Sequence, residues 1–270
     1  MPMNSRIRLR ILEQSYRAGV GHIGSALSIA DIIAVLFGAV LSGEGVERER
    51  FVLSKGHAAL ALYAALYEVG RIDAATLDTF CGEPSVLGAH PEHPLEGVDF
   101  STGSLGHGLS IGVGAALAAR LQGSPRRTFV LLSDAELNEG SVWEAAMFAA
   151  HHGLGSLVAI VDVNRQQAMG YTRDVIDLQP LDERWRAFGW NVHERDGHDV
   201  EALRATVESL DPESDRPHVL LASTTFGYGV SFMQNKIEWH YQPLSDEQFA
   251  AAVAEVEAMA SAEEPLTPRR

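Results

Sequence analysis

Two polar side chains stand where buried strands should end. Asp134 closes the apolar run "RTFVLLSD" and Asn164 closes "SLVAIVDVN", with one helix-like stretch between them. In open parallel sheets, ligands collect beyond the carboxyl ends of the strands, so these are the positions from which chemistry would be done. A carboxylate, an amide oxygen and a nearby backbone carbonyl form a hard-oxygen donor set suited to Mg2+, with room left for an anionic ligand. The same residue types also cap helices and close turns. The pair alone leaves both readings open.

The elements that must position them follow from periodicity. The runs "RTFVLLSD", "SLVAIVDVN" and "RPHVLLAST", with "GWNVHER" as a further short strand, alternate with Ala-rich helical stretches such as "SVWEAAMFAAHHGL" and "PLDERWRAFG". Strands that are apolar throughout are buried on both faces, so an α/β fold with a mostly parallel sheet flanked by helices is expected. "MPMNSRIRLRILEQ" reads as a helix and lacks the uninterrupted apolar stretch of a targeting segment. "IADIIAVLFGAVL" carries Asp31 and falls short of the roughly 20 residues a membrane helix needs, so it reads as a core helix. Ser28 with Asp31 looks like a capping box at its start. At 270 residues and 46% hydrophobic, the chain can bury a sizeable core. Residues 1–245 are expected to form one domain and 246–270 a C-terminal helix and tail. A formal charge of −15 disfavours nucleic acid and requires any anionic ligand to find local positive potential. One cysteine, Cys81, excludes an intramolecular disulfide and fits the cytoplasm.

Longer motifs narrow the chemistry. "SDAELNEG", followed some thirty residues on by "VDVN", resembles the thiamine diphosphate fingerprint, usually GDG at one end and NN at the other. "GHIGSALS", "LSKGHAALALYAAL", "HPEHPLEGVDFSTGSLGHGLSIGVGAALA" and "KIEWH" fall in the order found in transketolases, from about the first helix to His240. The resemblance is greatest to the amino-terminal subunit of split, two-chain transketolases. It implies a thiamine diphosphate-binding fold, with Mg2+ held by Asp134, Asn164 and the carbonyl of Gln166. It places Gly103 and Leu105 at the aminopyrimidine, where a Gly lets backbone approach a ligand. His57, Ala135 and Glu136 fall on the diphosphate side. Glu139 would have a structural or subunit-coupling role. His22, His90 and His240 would line the substrate channel.

The resemblance also implies a partner, because the glutamate that activates the aminopyrimidine lies on a pyrimidine-binding domain this chain lacks. A second subunit in an α2β2 assembly, with sugar phosphate substrates, is therefore expected. His22 and His240 are the candidates for moving the proton of the donor's C3 hydroxyl, a task suited to a pKa near neutrality, and His90 for bonding its C1 hydroxyl. His93, His107, His151 and His152 receive no role. Ser133 and Ala135 replace the usual glycines, and a methyl at Ala135 is tolerable only if its φ is negative. Ile23 and Tyr241 also depart from the pattern and are expected where substrate passes. A deoxyxylulose-phosphate synthase, a keto-acid dehydrogenase E1 subunit, transfer to a carrier protein and a non-catalytic regulatory subunit remain as rival readings.

Overall fold

The computed structural model describes residues 1–41 and 45–262; the expected tail after residue 262 lies outside them. Its centre is a five-stranded sheet in the order β1-β2-β3-β7-β6. The strands are β1 (Arg50–Leu53), β2 (Thr128–Ser133), β3 (Leu157–Val163), β6 (Asn191–Asp196) and β7 (His218–Ser223), all paired in parallel. A small antiparallel hairpin of β4 (Gln166–Gln167) and β5 (Gly170–Tyr171) follows β3.

Alternation along the strands divides the core. Phe129, Leu131, Val158, Ile160 and Leu220 join one apolar layer with α1 (Met3–Ala18), α2 (Ile23–Ser28), α3 (Ala30–Val35) and α4 (Ala59–Glu68). Val130, Leu132, Ala159, Val161 and Val219 face the other way, into a second layer. That layer is covered by α6 (Gly108–Leu121), α7 (Gly140–His151) and α9 (Leu181–Ala187), with the single turn α8 (Thr172–Val175) beside β5; the single turn α5 (Ala74–Leu77) packs on α4 and puts Leu77 into the first layer. α10 (Val200–Ser209) packs on β6 and α3, and α11 (Asp246–Ala262) packs on α1, where Phe249 stacks on Tyr16 at 4.3 Å between ring centroids. The expected strands and long helices are thus present; the short edge strand β1 is additional.

Register decides which residues share the carboxyl edge of the sheet. Ser133 lies opposite Asp162, and Val163 opposite Ser223. The chain therefore leaves β1, β2, β3 and β7 at one level, bringing Ser54, Asp134, Asn164 and Thr224 to a common edge. Two expectations fail nearby. Ser28 does not cap α3: it ends α2, and its hydroxyl donates to Asp162 Oδ1 at 2.7 Å, because a buried carboxylate offers a stronger acceptor than a backbone N–H offers a donor. Asp31 instead pairs with the fully buried Arg8, and also with Asn4 and His198. Ile23 is not in a channel; as the first residue of α2 its side chain is fully buried in the core.

Candidate active site

Beyond that edge lies a cleft of about 480 Å³, whose lining includes Lys55, His57, Leu105, Ala135, Asn164, Gln166 and His240. Its floor is the pair of strand tips. Asp134 donates its N–H to the carbonyl of Asp162 at 3.1 Å, and Arg165 donates its own to Asp134 Oδ2 at 2.7 Å. Asn164 is oriented by its Nδ2, which donates to Asp162 Oδ2 at 2.9 Å and Ser28 Oγ at 3.3 Å, while its Oδ1 accepts from Gln166 N at 2.9 Å. Burial, with the nearby Asp162 carboxylate, pushes the Asp134 pKa up to about 7 despite its N–H bonds. A desolvated carboxylate beside a fixed amide oxygen fits a hard divalent cation, which would supply the missing counter-charge. The residues present therefore fit Mg2+.

The turn after β2 tolerates its unusual residues. Asp134 has φ −65°, and Ala135 is not among the positive-φ residues, so its methyl group is unstrained. Ser133 takes up part of what a glycine would leave open: its Oγ accepts from Glu136 N at 3.1 Å. Glu136 is fully buried. Its carboxylate accepts from Ser54 Oγ, from Gly106 N at 2.8 Å and from Ser133 N at 3.3 Å, and so ties together three chain segments. Gly106 meets this carboxylate with φ +87°, in a conformation that a side chain would strain.

The histidines gather on the cleft's other side. The rings of His22, His57 and His240 form a triangle with centroid separations of 5.1, 5.4 and 5.6 Å. His22, at φ 63°, precedes α2 and donates its N–H to the His240 carbonyl at 3.2 Å. His90 is exposed, with its carbonyl held by Tyr63 Oη at 3.0 Å. A Cβ on Gly103 would stand 3.3 Å from its ring, so the glycine lets that ring pack against the backbone. Burial, then His22 and Lys55, lowers the His240 pKa to about 4; burial and His90 lower that of His22. His57 is lowered well below its ordinary value by burial, then Lys55. The cluster is thus neutral at pH 7 rather than poised near it, because desolvation and mutual repulsion both oppose the imidazolium. Tyr241 is 59% exposed, with its hydroxyl donating to the Ala168 carbonyl at 2.8 Å across the cleft mouth.

Sequence reasoning missed the ion pair beneath the floor. Lys55 and Asp162 are both fully buried and meet at 2.5 Å. Lys55 also donates to the Ser25 carbonyl at 3.3 Å, and Asp162 accepts from Ser28 and Thr224. The available signal was an aspartate inside an otherwise apolar strand, "LVAIVDV". Among the described residues no helix is long and apolar enough to cross a membrane.

Comparison with known proteins agrees with this arrangement. The transketolase, thiamine diphosphate binding domain family matches residues 2–260. An apulose-4-phosphate transketolase subunit of Phocaeicola vulgatus is 41% identical, covering 92% of this chain and 90% of that protein. A 6-deoxy-6-sulfo-D-fructose transketolase subunit of a Clostridium species is 40% identical, covering 93% and 94% respectively. Transketolase from Leishmania mexicana superposes with a TM-score of 0.87 at 29% identity, over 94% of this chain and 41% of that one. The chain spans about two fifths of the length of that enzyme. It belongs to the transketolase family, in which it corresponds to the amino-terminal, thiamine diphosphate-binding part.

Proposed function

We propose that this chain is the cofactor-anchoring subunit of a two-chain transketolase. With thiamine diphosphate, Mg2+ and a second subunit in an α2β2 assembly, it transfers a two-carbon ketol unit from a ketose phosphate to an acceptor aldehyde. The observation that carries this reading is the juxtaposition, in one cleft, of Asn164 and of Ser133 and Ala135, the residues flanking Asp134, with His57 and His240. Subunits named for apulose 4-phosphate and 6-deoxy-6-sulfofructose support a ketose donor bearing a terminal anion. We assign residues 1–245 to the diphosphate-binding domain, with the C-terminal helix as a buttress, and place the protein in the cytoplasm.

In this assignment Asp134, Asn164 and the Gln166 carbonyl hold Mg2+, His57 and Ala135 lie against the diphosphate, and Gly103 and Leu105 face the aminopyrimidine. Glu136 shapes the loop from below, through Ser54, Gly106 and Ser133. Once bound, the cofactor supplies a carbon able to stabilise a carbanion, which no side chain provides. His22 and His240, neutral at working pH, take the proton of the donor's C3 hydroxyl on an unprotonated ring nitrogen as the C2–C3 bond breaks. They return it to the acceptor oxygen once the new bond forms. Burial, the main cause opposing an imidazolium at either ring, favours prompt return of that one proton. His90 bonds the donor's C1 hydroxyl and so favours hydroxyketones over plain keto acids.

The test is to assay the purified chain alone and mixed with a subunit bearing a pyrimidine-binding domain, using xylulose 5-phosphate, fructose 6-phosphate and pyruvate as donors. Turnover of a ketose phosphate only in the mixture is expected. Robust turnover by the chain alone, or a preference for pyruvate, would reject the assignment.

A further inference from the structure

Gln166 has a side chain that the fold does not use. It opens β4, lines the cleft and is only 6% exposed. Its backbone N–H is committed to Asn164 Oδ1. Yet among the described residues neither Nε2 nor Oε1 has a hydrogen-bond partner, although both are shielded from solvent. The next residue shows the contrast, since Gln167 Nε2 donates to Asn138 Oδ1 at 3.4 Å. A buried carboxamide with its donors and acceptor all unmade opposes folding, whereas an apolar side chain of the same length would not. Its presence is accounted for by a ligand that both accepts and donates there.

The surroundings narrow that ligand. The chain carries a net charge of −15, and the ammonium at the cleft, Lys55, is spent on Asp162. The Asn164 amide donates to Asp162 and Ser28. With those donors engaged, the Gln166 amide is one that is still free to meet an anion entering here. A hydrated magnesium diphosphate matches both ends of the carboxamide, because phosphoryl oxygens accept and cation-bound water donates.

Resting on the transketolase reading above, we propose that the Gln166 carboxamide is a further cofactor-binding group: Nε2 donates to a diphosphate oxygen, and Oε1 accepts from water on the cation. The backbone carbonyl and the side chain of one residue then serve the same metal diphosphate. A sugar hydroxyl also both accepts and donates, and the choice of probe separates the two.

The experiment compares wild type with Gln166→Met by calorimetry, on the full chain alone and assembled with its second subunit, using magnesium pyrophosphate and then thiamine diphosphate with magnesium. The methionine variant should melt no lower than wild type without ligand, since it buries no unmet polar group. Its affinity for both probes should fall about tenfold, as expected for one charge-assisted hydrogen bond. Gln166→Glu, which adds a negative charge, should lose more. A methionine variant that holds pyrophosphate as tightly as wild type overturns the proposal, even if it holds the whole cofactor less well, because the amide would then read something other than the diphosphate. Wild type failing to bind either probe in either form would instead overturn the transketolase reading itself.

Discussion

Replacing Lys55 by Met tests the foundation of the cleft. Lys55 and Asp162 are fully buried, 2.5 Å apart, on segments 107 residues apart in sequence. Deleting one partner of such a pair costs about 3–5 kcal/mol, chiefly because the remaining charge is left without compensation in a poor solvent. Here three neutral donors, Ser28, Thr224 and Asn164, still face the Asp162 carboxylate, which points to the lower end of that range. A loss of about 3 kcal/mol at pH 7.5 corresponds to a fall in Tm of roughly 6–12 °C for a domain of this size. Urea denaturation followed by circular dichroism measures it directly. Lys55→Met/Asp162→Asn should recover part of the loss, because it removes the stranded charge while an amide keeps most of the contacts. A Lys55→Met variant within about 1 kcal/mol of wild type, or a double variant no more stable than the single one, would refute this. Either result would mean that Asp162 does not depend on this ammonium for its charge.

Three other perturbations probe neighbouring parts of the site and its supports. Asp134→Asn should abolish magnesium-dependent binding of thiamine diphosphate by calorimetry, since the amide loses the carboxylate charge and can accept from only one of the Ala135 and Arg165 N–H groups; a variant that binds the cofactor as tightly as wild type would contradict this. Asp31 sits at a pKa of about 2: burial pushes it up, but Arg8 and His198 outweigh burial. Its folded pKa is depressed, so its contribution is present above the unfolded carboxylate range and lost as pH falls through about 4 to 2. Asp31→Asn should therefore lower stability at pH 7 by about 3 kcal/mol, through the stranded Arg8, and flatten the acid limb; an unchanged acid limb in denaturation at pH 7, 4 and 2.5 would count against it. Tyr241→Phe removes only the bond to the Ala168 carbonyl, worth about 0.5–1.5 kcal/mol, so acceptor KM should shift less than tenfold while Tyr241→Gly changes which acceptors are used. Identical acceptor profiles for wild type and Tyr241→Gly would remove Tyr241 from the channel wall.

The sheet was legible because its central strands are apolar on both faces along most of their length, a pattern explained by burial on both sides. β1 escaped because "RFVL" is four residues long and follows the charged stretch "ERE", so it shows its strand character only when paired with β2. The strand tips were legible from position alone: a parallel sheet has one ligand edge, and Asp134 and Asn164 stand on it. The buried pairs were not. Lys55–Asp162 and Arg8–Asp31 join segments that only the finished fold brings together. A capping box read from spacing therefore gave way to tertiary partners with more charge to satisfy. Ile23 failed for a related reason, since the residue after His22 turns into the core once a helix begins at that point.

The turn after β2 shows how a motif can change while its task survives. A glycine on either side of a metal-binding aspartate lets backbone crowd a diphosphate. In this chain the crowding is arranged from beneath instead. The hydroxyl of Ser133 receives the N–H of Glu136, and the carboxylate of Glu136 returns a bond to the N–H of Ser133 while reaching Gly106 and Ser54. That reciprocal pair holds the turn without a left-handed residue at Ala135. The cost is a buried carboxylate whose pKa burial raises, and the donors around it oppose that rise. Ser133 and Glu136 thus form one structural unit: a glycine at 133 would leave the Glu136 N–H without its acceptor, and an uncharged residue at 136 would release the loop that carries Gly106 beside the cleft. The departure at Ala135 is then no sign of a decaying site, because the interactions that replace the glycines are complete.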